Sequence, residues 1–314
     1  MFALSLTILP VFLLLLAGAV CQRLRFPSPA FWPSVDKLSY WLLFPALLFH
    51  KTSQIDFSNP LLSNYALVLI LALLVTAGVV FIMAWFAKEP PPTASSMLQA
   101  GVRFNTFIVL ALAGSVYGEE GLVLAALGAS VLIPAVNVFL VVSMVLMHGP
   151  RSSTGKTYGL GRLVSGALIR NPLVIAIVLG SGTNLLGLTP ILLISDMIAM
   201  LSQAALPMVL LAVGASVQLD AVRRVGLSFC LSASARFVVF PITIGLLCWL
   251  LGIQGLPALV AVLFGLAPTA TSAYALARQL GGDAEKMAAY ITLQTILSIL
   301  TVPLSVWLSQ YVFG

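Results

Sequence analysis

Charge is what this chain lacks. Only 8% of its 314 residues are Asp, Glu, Lys or Arg, against 61% apolar, and the mean hydropathy is +1.11. A soluble domain of this length needs far more polar surface, so a water-soluble globular fold is excluded. Histidine and cysteine are equally sparse, with 2 and 3 residues. Cys21, Cys230 and Cys248 lie in or beside apolar stretches, an odd number at depths that suit neither a disulfide framework nor a metal site. No HExxH, GxSxG, paired-aspartate or Cys/His metal spacing occurs, so no catalytic centre, metal or cofactor is expected. Gly149-Pro150-Arg151-Ser152-Ser153-Thr154-Gly155-Lys156-Thr157 resembles a phosphate-binding loop, but five residues separate its glycines where four are required. The net charge of +6 sits in short loops and forms no nucleic-acid-binding stripe.

What is abundant is apolar helix-forming sequence. Runs such as 3–20, 61–86 and 121–147 reach or exceed the roughly 20 residues that cross a bilayer as helix. Lipid offers backbone amides no partner, and the alternating ten-residue segments of a membrane barrel are missing, so helix is required. The pattern predicts ten spans, near 3–21, 34–50, 61–86, 95–116, 120–147, 168–187, 190–215, 225–251, 256–278 and 286–311. Pro33, Pro60, Pro90 to Pro92, Pro150 and Pro190 punctuate the connections, while Pro45 and Pro207 lie inside spans as kinks. No basic residue precedes the first run, so it reads as a retained span and not as a cleaved signal.

Loop charge gives an orientation. Connections after the odd spans hold Arg23, Arg25, Lys88, Arg151, Lys156, Arg162, Arg170, Arg223, Arg224, Arg278 and Lys286, whereas those after the even spans hold only Lys51. This asymmetry predicts an integral inner-membrane protein with both termini outside. The prolines and glycines also recur. Pro10, Gly18 and Pro45 are matched 162 residues later by Pro172, Gly180 and Pro207, and Asn105 precedes Gly118 by 13 residues as Pro268 precedes Gly281. Two five-span units, 1–147 and 168–314, joined by a short loop at 148–167, must then enter the membrane in opposite senses. The fold class predicted is an all-α polytopic membrane protein of ten helices in two inverted repeats, with helices 4 and 9 broken at mid-depth.

Asn105 and Pro268 occupy equivalent positions at that depth. Around the second, Gly265-Leu266-Ala267-Pro268-Thr269-Ala270-Thr271-Ser272 combines a missing amide donor with small residues and three hydroxyls. A helix opened there exposes backbone groups for a substrate; the plainer reading is a proline kink satisfied by hydroxyl back-bonding. Arg103 and Arg236 are costly so deep, at roughly 2.5–3.5 kcal/mol each. They favour an anionic substrate, unless Arg103 snorkels and Arg236 ties helices together through carbonyls. Asn137, Gln294 and Ser298 either join helices by hydrogen bonds or line a pathway. No carboxylate is expected beside the crossing, so a proton relay lacks support; sodium held by carbonyls near Pro268 and potential-driven uniport both stay open.

Several motifs resemble the auxin efflux carrier family, notably its bacterial malonate- or malate-permease branch. They are Leu42-Leu43-Phe44-Pro45-Ala46-Leu47-Leu48-Phe49, Arg103-Phe104-Asn105-Thr106, Arg170-Asn171-Pro172, Ala205-Leu206-Pro207-Met208 through Ser216, and Ala267-Pro268 through Asp283. The resemblance implies a bile-acid-symporter-type fold whose spans 4 and 9 cross at the substrate site. It also implies a scaffold of spans 1, 2, 6 and 7, through which a homodimer forms, and a mobile bundle of spans 3–5 and 8–10. Asn105, Thr106, Pro268, Thr269 and Thr271 would hold the substrate, with Arg103 or Arg236 supplying positive potential. Plant members carry a proline after the span 4 asparagine; here Ile108-Val109-Leu110-Ala111-Leu112-Ala113 has none, so the break is implied less directly in span 4 than in span 9. The expected function is secondary transport of a small organic anion. The alternative is a non-transporting membrane sensor or scaffold.

Overall fold

The computed structural model describes residues 2–55, 61–148, 160–188, 192–218 and 226–314. Most of the connection at 148–167, with Arg151 and Lys156, lies outside them, as do Arg223, Arg224, Pro60, Pro150 and Pro190. The described residues are helical throughout, with no β-strand, and apart from one isolated bridge no backbone pairing of strand type occurs among them. Five helical stretches are long and apolar enough to cross a membrane, at Leu62–Phe86, Thr106–His148, Leu193–Ala215, Leu227–Leu250 and Ala284–Phe313.

The elements are α1 (Phe2–Arg23), α2 (Phe31–Leu38), α3 (Phe44–Thr52), α4 (Leu61–Phe86), α5 (Pro91–Val102), α6 (Thr106–His148) and α7 (Leu160–Ile169), then α8 (Pro172–Leu185) and α9 (Leu192–Ala215). They continue with α10 (Leu227–Ser234), α11 (Phe240–Leu250), α12 (Leu256–Leu266), α13 (Ser272–Leu280) and α14 (Ala284–Phe313). Two wide π-helical turns join α2 to α3 (Ser39–Leu43) and α10 to α11 (Ala235–Val239). Each ends two residues before a proline, Pro45 or Pro241. The ring of a proline inside an α-helix strikes the carbonyl one turn back and its amide is missing; an extra residue in that turn relieves both.

At 43 residues, α6 would be about 65 Å long if straight, twice a bilayer core. It bends instead at Gly118, whose φ of 66° and ψ of −154° favour glycine. Gly281, with φ of 83°, ends α13 in the left-handed region. The recurrence of Gly118 and Gly281 in the sequence therefore has a backbone cause.

Large apolar side chains point both ways. Val68, Ala72, Leu98, Ile108, Leu132, Val260 and Phe264 are buried among α4, α5, α6 and α12, while Leu16, Leu74, Trp85, Leu246, Trp249, Leu300 and Leu304 are exposed. Outward belts of this kind suit lipid and not water. Close helix approaches come from glycine. A Cβ on Gly18 (α1) would sit 2.0 Å from the Leu211 carbonyl oxygen of α9, and one on Gly180 (α8) would sit 2.7 Å from the Phe49 carbonyl oxygen of α3. Gly180 and Leu211 stand 162 positions after Gly18 and Phe49, so the two contacts are the same contact with its partners exchanged.

Candidate functional site

The site forms where the chain leaves helix twice. After α12, Ala267 is extended (φ −68°, ψ 139°), the conformation forced on a residue preceding proline. After α5, Arg103 is extended as well (φ −82°, ψ 104°). Asn105 then restarts helix by accepting hydrogen bonds on Oδ1 from the backbone amides of Phe107 (3.1 Å) and Ile108 (3.3 Å). An asparagine cap thus produces the break between α5 and α6 without a proline. The two extended segments meet antiparallel. Phe104 faces Thr269, the Asn105 amide donates to the Pro268 carbonyl (2.8 Å), and the Ala270 amide donates to the Arg103 carbonyl (3.3 Å). In this register Asn105 lies opposite Pro268.

On one side of the crossing is a cavity of about 420 Å³, within the range of small-ligand sites. Arg103, Asn105, Thr106, Thr271, Ser272 and Asn137 line it. α2 and its π-turn contribute Asp36 and Tyr40, α13 contributes Tyr274, and Asn171 comes from the start of α8, where its Oδ1 accepts from the Leu173 amide (2.9 Å). Arg103 donates through Nε to the Ser272 hydroxyl (3.2 Å), while its Nη1 is buried without a partner. Asn105 is 1% exposed, and its Nδ2 is likewise unpartnered. Two residues with unpartnered donors therefore line one cavity, and α6 and α13 both begin there, directing the positive ends of their dipoles at it. An anion is the complementary ligand. A larger cleft of about 720 Å³ between α1, α9 and α14 contains no residue of the crossing.

Other residues expected to face substrate lie behind the crossing. Thr269 is fully buried and donates its hydroxyl to the Ala100 carbonyl (2.9 Å) and to Gln294 Oε1 (2.6 Å). Gln294 Oε1 also accepts from the Thr269 amide (3.1 Å), and its Nε2 donates to the Ala100 carbonyl (3.2 Å), so Gln294 ties the second extended segment to the last turn of α5 from α14. Arg236, fully buried in the second π-turn, donates Nε to Ala267 (2.6 Å), Nη2 to Phe264 (2.7 Å) and Nη1 to Gly101 (3.4 Å). It is absent from the cavity wall because the last carbonyls of α12 and α5, which have no next helical turn, take its donors. Ser298 back-bonds to the Thr295 carbonyl within α14 (2.7 Å). Pro45 and Pro207 lie within helical stretches away from the cavity lining.

One expectation needs correction. A carboxylate does stand beside the crossing, because Asp36 lines the cavity with Arg103. Asp36 falls at the start of the span expected at 34–50, and its i,i+4 spacing with Tyr40, which places both on one helical face, is the sequence signal for it.

Two broken helices that cross beside a cavity with polar groups in its wall, in an otherwise apolar all-helical chain, are the features of a membrane transport protein. Residues 3–307 match the family described as membrane transport protein, and the chain belongs to that family, that of the auxin efflux carriers. It is 25% identical over 307 residues to the "Putative malonate transporter" of Rhizobium meliloti (strain 1021), covering 94% of this chain and 92% of that one. It is 24% identical over 305 residues to an "Uncharacterized transporter" of Methanothermobacter thermautotrophicus, covering 95% and 96%.

Proposed function

We propose that this transporter is a secondary carrier of a small organic anion, a carboxylate of malonate size, bound at the crossing of the two broken helices. The observation that carries this reading is the pair of unpartnered buried donors, Arg103 Nη1 and Asn105 Nδ2, in one cavity where α6 and α13 begin. Left unpaired, such groups cost about 1–3 kcal/mol each or more; an entering carboxylate satisfies both. Thr106 and Thr271 offer hydroxyls beside them. The name of the Rhizobium relative supports malonate as the first compound to test.

The movement proposed is alternating access between two inverted five-span units. The exchanged Gly18–Leu211 and Gly180–Phe49 contacts support it, as does a crossing register that sets Asn105 opposite Pro268. Spans 1, 2, 6 and 7 would form the fixed frame, homodimeric in the membrane, and the spans carrying the crossing would move against it. With basic loops inside, Asp36 and Asn171 would stand at the cytoplasmic end of the cavity, and this conformation would be the inward-facing one. Uptake of radiolabelled malonate by proteoliposomes tests the reading. Saturable uptake by the wild type and its loss in Asn105→Ala support it; equal uptake by the variant removes the site.

A further inference from the structure

The cavity wall carries one cation and one anion on different elements. Arg103 stands at the break of span 4 and Asp36 on α2, and both line the same space of about 420 Å³. The Asp36 carboxylate has no ion pair or hydrogen bond among the described residues, although Arg103 keeps Nη1 free. Nor is Asp36 a helix cap, since it lies beyond the first turn of α2. The other ionisable groups nearby are Tyr40 and Tyr274 in the wall, Lys37 next on α2, Arg170 beside Asn171, and Arg278 farther along α13. α9, which packs along α2, has Asp196 as its one ionisable side chain, and α8, at the cavity mouth, has none. Asp36 is therefore the single carboxylate in the wall of a cavity whose other polar groups favour an anion. Asp36 is exposed at that wall, and a doubly charged ligand bound at Arg103 would bring its second carboxylate toward a like charge there.

Resting on the anion-site reading above, we propose that Asp36 makes substrate binding proton-linked. The ligand is a dicarboxylate whose near carboxylate meets Arg103 and Asn105 and whose distal carboxyl shares one proton with Asp36. The proton comes from solvent, and no covalent bond changes. The complex holds one proton more than the free dianion and the ionised Asp36 side chain together, whichever oxygen carries it. Asp36 thereby selects dicarboxylates that bind with a proton over compounds with a single carboxylate and an apolar tail, which leave Asp36 unpaired.

Calorimetric titration of malonate into the detergent-purified full chain, at pH values from about 5 to 8, tests this with wild type, Asp36→Asn and Asp36→Glu. Where free malonate and Asp36 are both ionised, uptake of one proton weakens wild-type binding about tenfold per pH unit. Asp36→Asn binds with an affinity independent of pH over the same range, and Asp36→Glu restores the slope. A wild-type slope unchanged in Asp36→Asn, or no slope in the wild type with binding intact, overturns the role of Asp36 and leaves the anion site standing. Failure of malonate to bind the wild type at any of these pH values overturns the dicarboxylate site, and this proposal with it.

Discussion

Replacing Arg236 with lysine separates geometry from charge. Both side chains are cationic, so the positive potential and the cost of burying it are retained. The planar fork is not. Arginine reaches Ala267 at 2.6 Å and Phe264 at 2.7 Å from two nitrogens, and a single ammonium cannot occupy both positions. At least one short charge-assisted bond is lost, about 1.5–3 kcal/mol, and the carbonyl it served stays buried at the broken end of α12. The stacking of the cation on Phe240, 5.0 Å from the ring centre, is available to lysine and does not compensate. Taking about 2–4 °C per kcal/mol for chains somewhat shorter than this one, the apparent unfolding temperature in detergent falls by roughly 3–12 °C. Malonate uptake falls with it, because the α12 end positions Pro268 against Asn105. An Arg236→Lys protein with wild-type unfolding temperature and uptake would refute the bracing role and return Arg236 to a source of charge.

The exchanged glycine contacts give a paired prediction: Gly18→Ala and Gly180→Ala each place a Cβ within about 2 Å of a neighbour (Leu211 O at 2.0 Å, Thr52 Oγ1 at 2.1 Å) and each cost about 1–3 kcal/mol by thermal unfolding. Gly182→Ala, with nothing within 4 Å, is the neutral control; an unaffected Gly18→Ala protein would contradict the close approach of α1 and α9. Asn105→Ala loses a helix cap worth about 1 kcal/mol as well as a ligand donor, so uptake collapses while the unfolding temperature drops only a few degrees; a collapse of both to the same degree would make Asn105 structural alone. Lys51, buried on α3, pairs with the largely exposed Glu119 at the α6 bend, and solvent screening limits Glu119→Gln to about 1 kcal/mol, shrinking further in high salt. A salt-independent loss of several kcal/mol in unfolding measurements would show the pair to be desolvated.

Some of this site was legible because proline and glycine act locally. Pro268 dictates an extended Ala267 whatever surrounds it, and Gly118 and Gly281 mark positive-φ turns. The 61–86 span has the limits of α4 because its apolar run ends sharply. The break in span 4 carried no proline; only the spacing of Asn105 against Pro268 pointed to it, and its cause is a side-chain cap that depends on the rotamer of Asn105. Side-chain direction at the crossing was not legible. In helices periodicity sorts faces, but 103–105 and 267–271 are not helical, so nothing in the order of residues told Thr269, turned toward Gln294, from Thr271, turned into the cavity. Arg236 was readable as an expensive residue with two uses; choosing between them required the position of the α12 carbonyls. The i,i+4 spacing of Asp36 and Tyr40 puts both on one face of α2, but that this face turns to the crossing depends on how α2 packs along α9, which the spacing alone does not encode.

Access to the crossing from both faces is the most direct test. Thr106 lines the cavity at the first residue of α6, and a Thr106→Cys protein lacking Cys21, Cys230 and Cys248 can be probed in oriented vesicles with a membrane-impermeant thiol reagent. Labelling from either side, slowed in both cases by malonate, is the expected result. Labelling confined to one side and indifferent to malonate would contradict it.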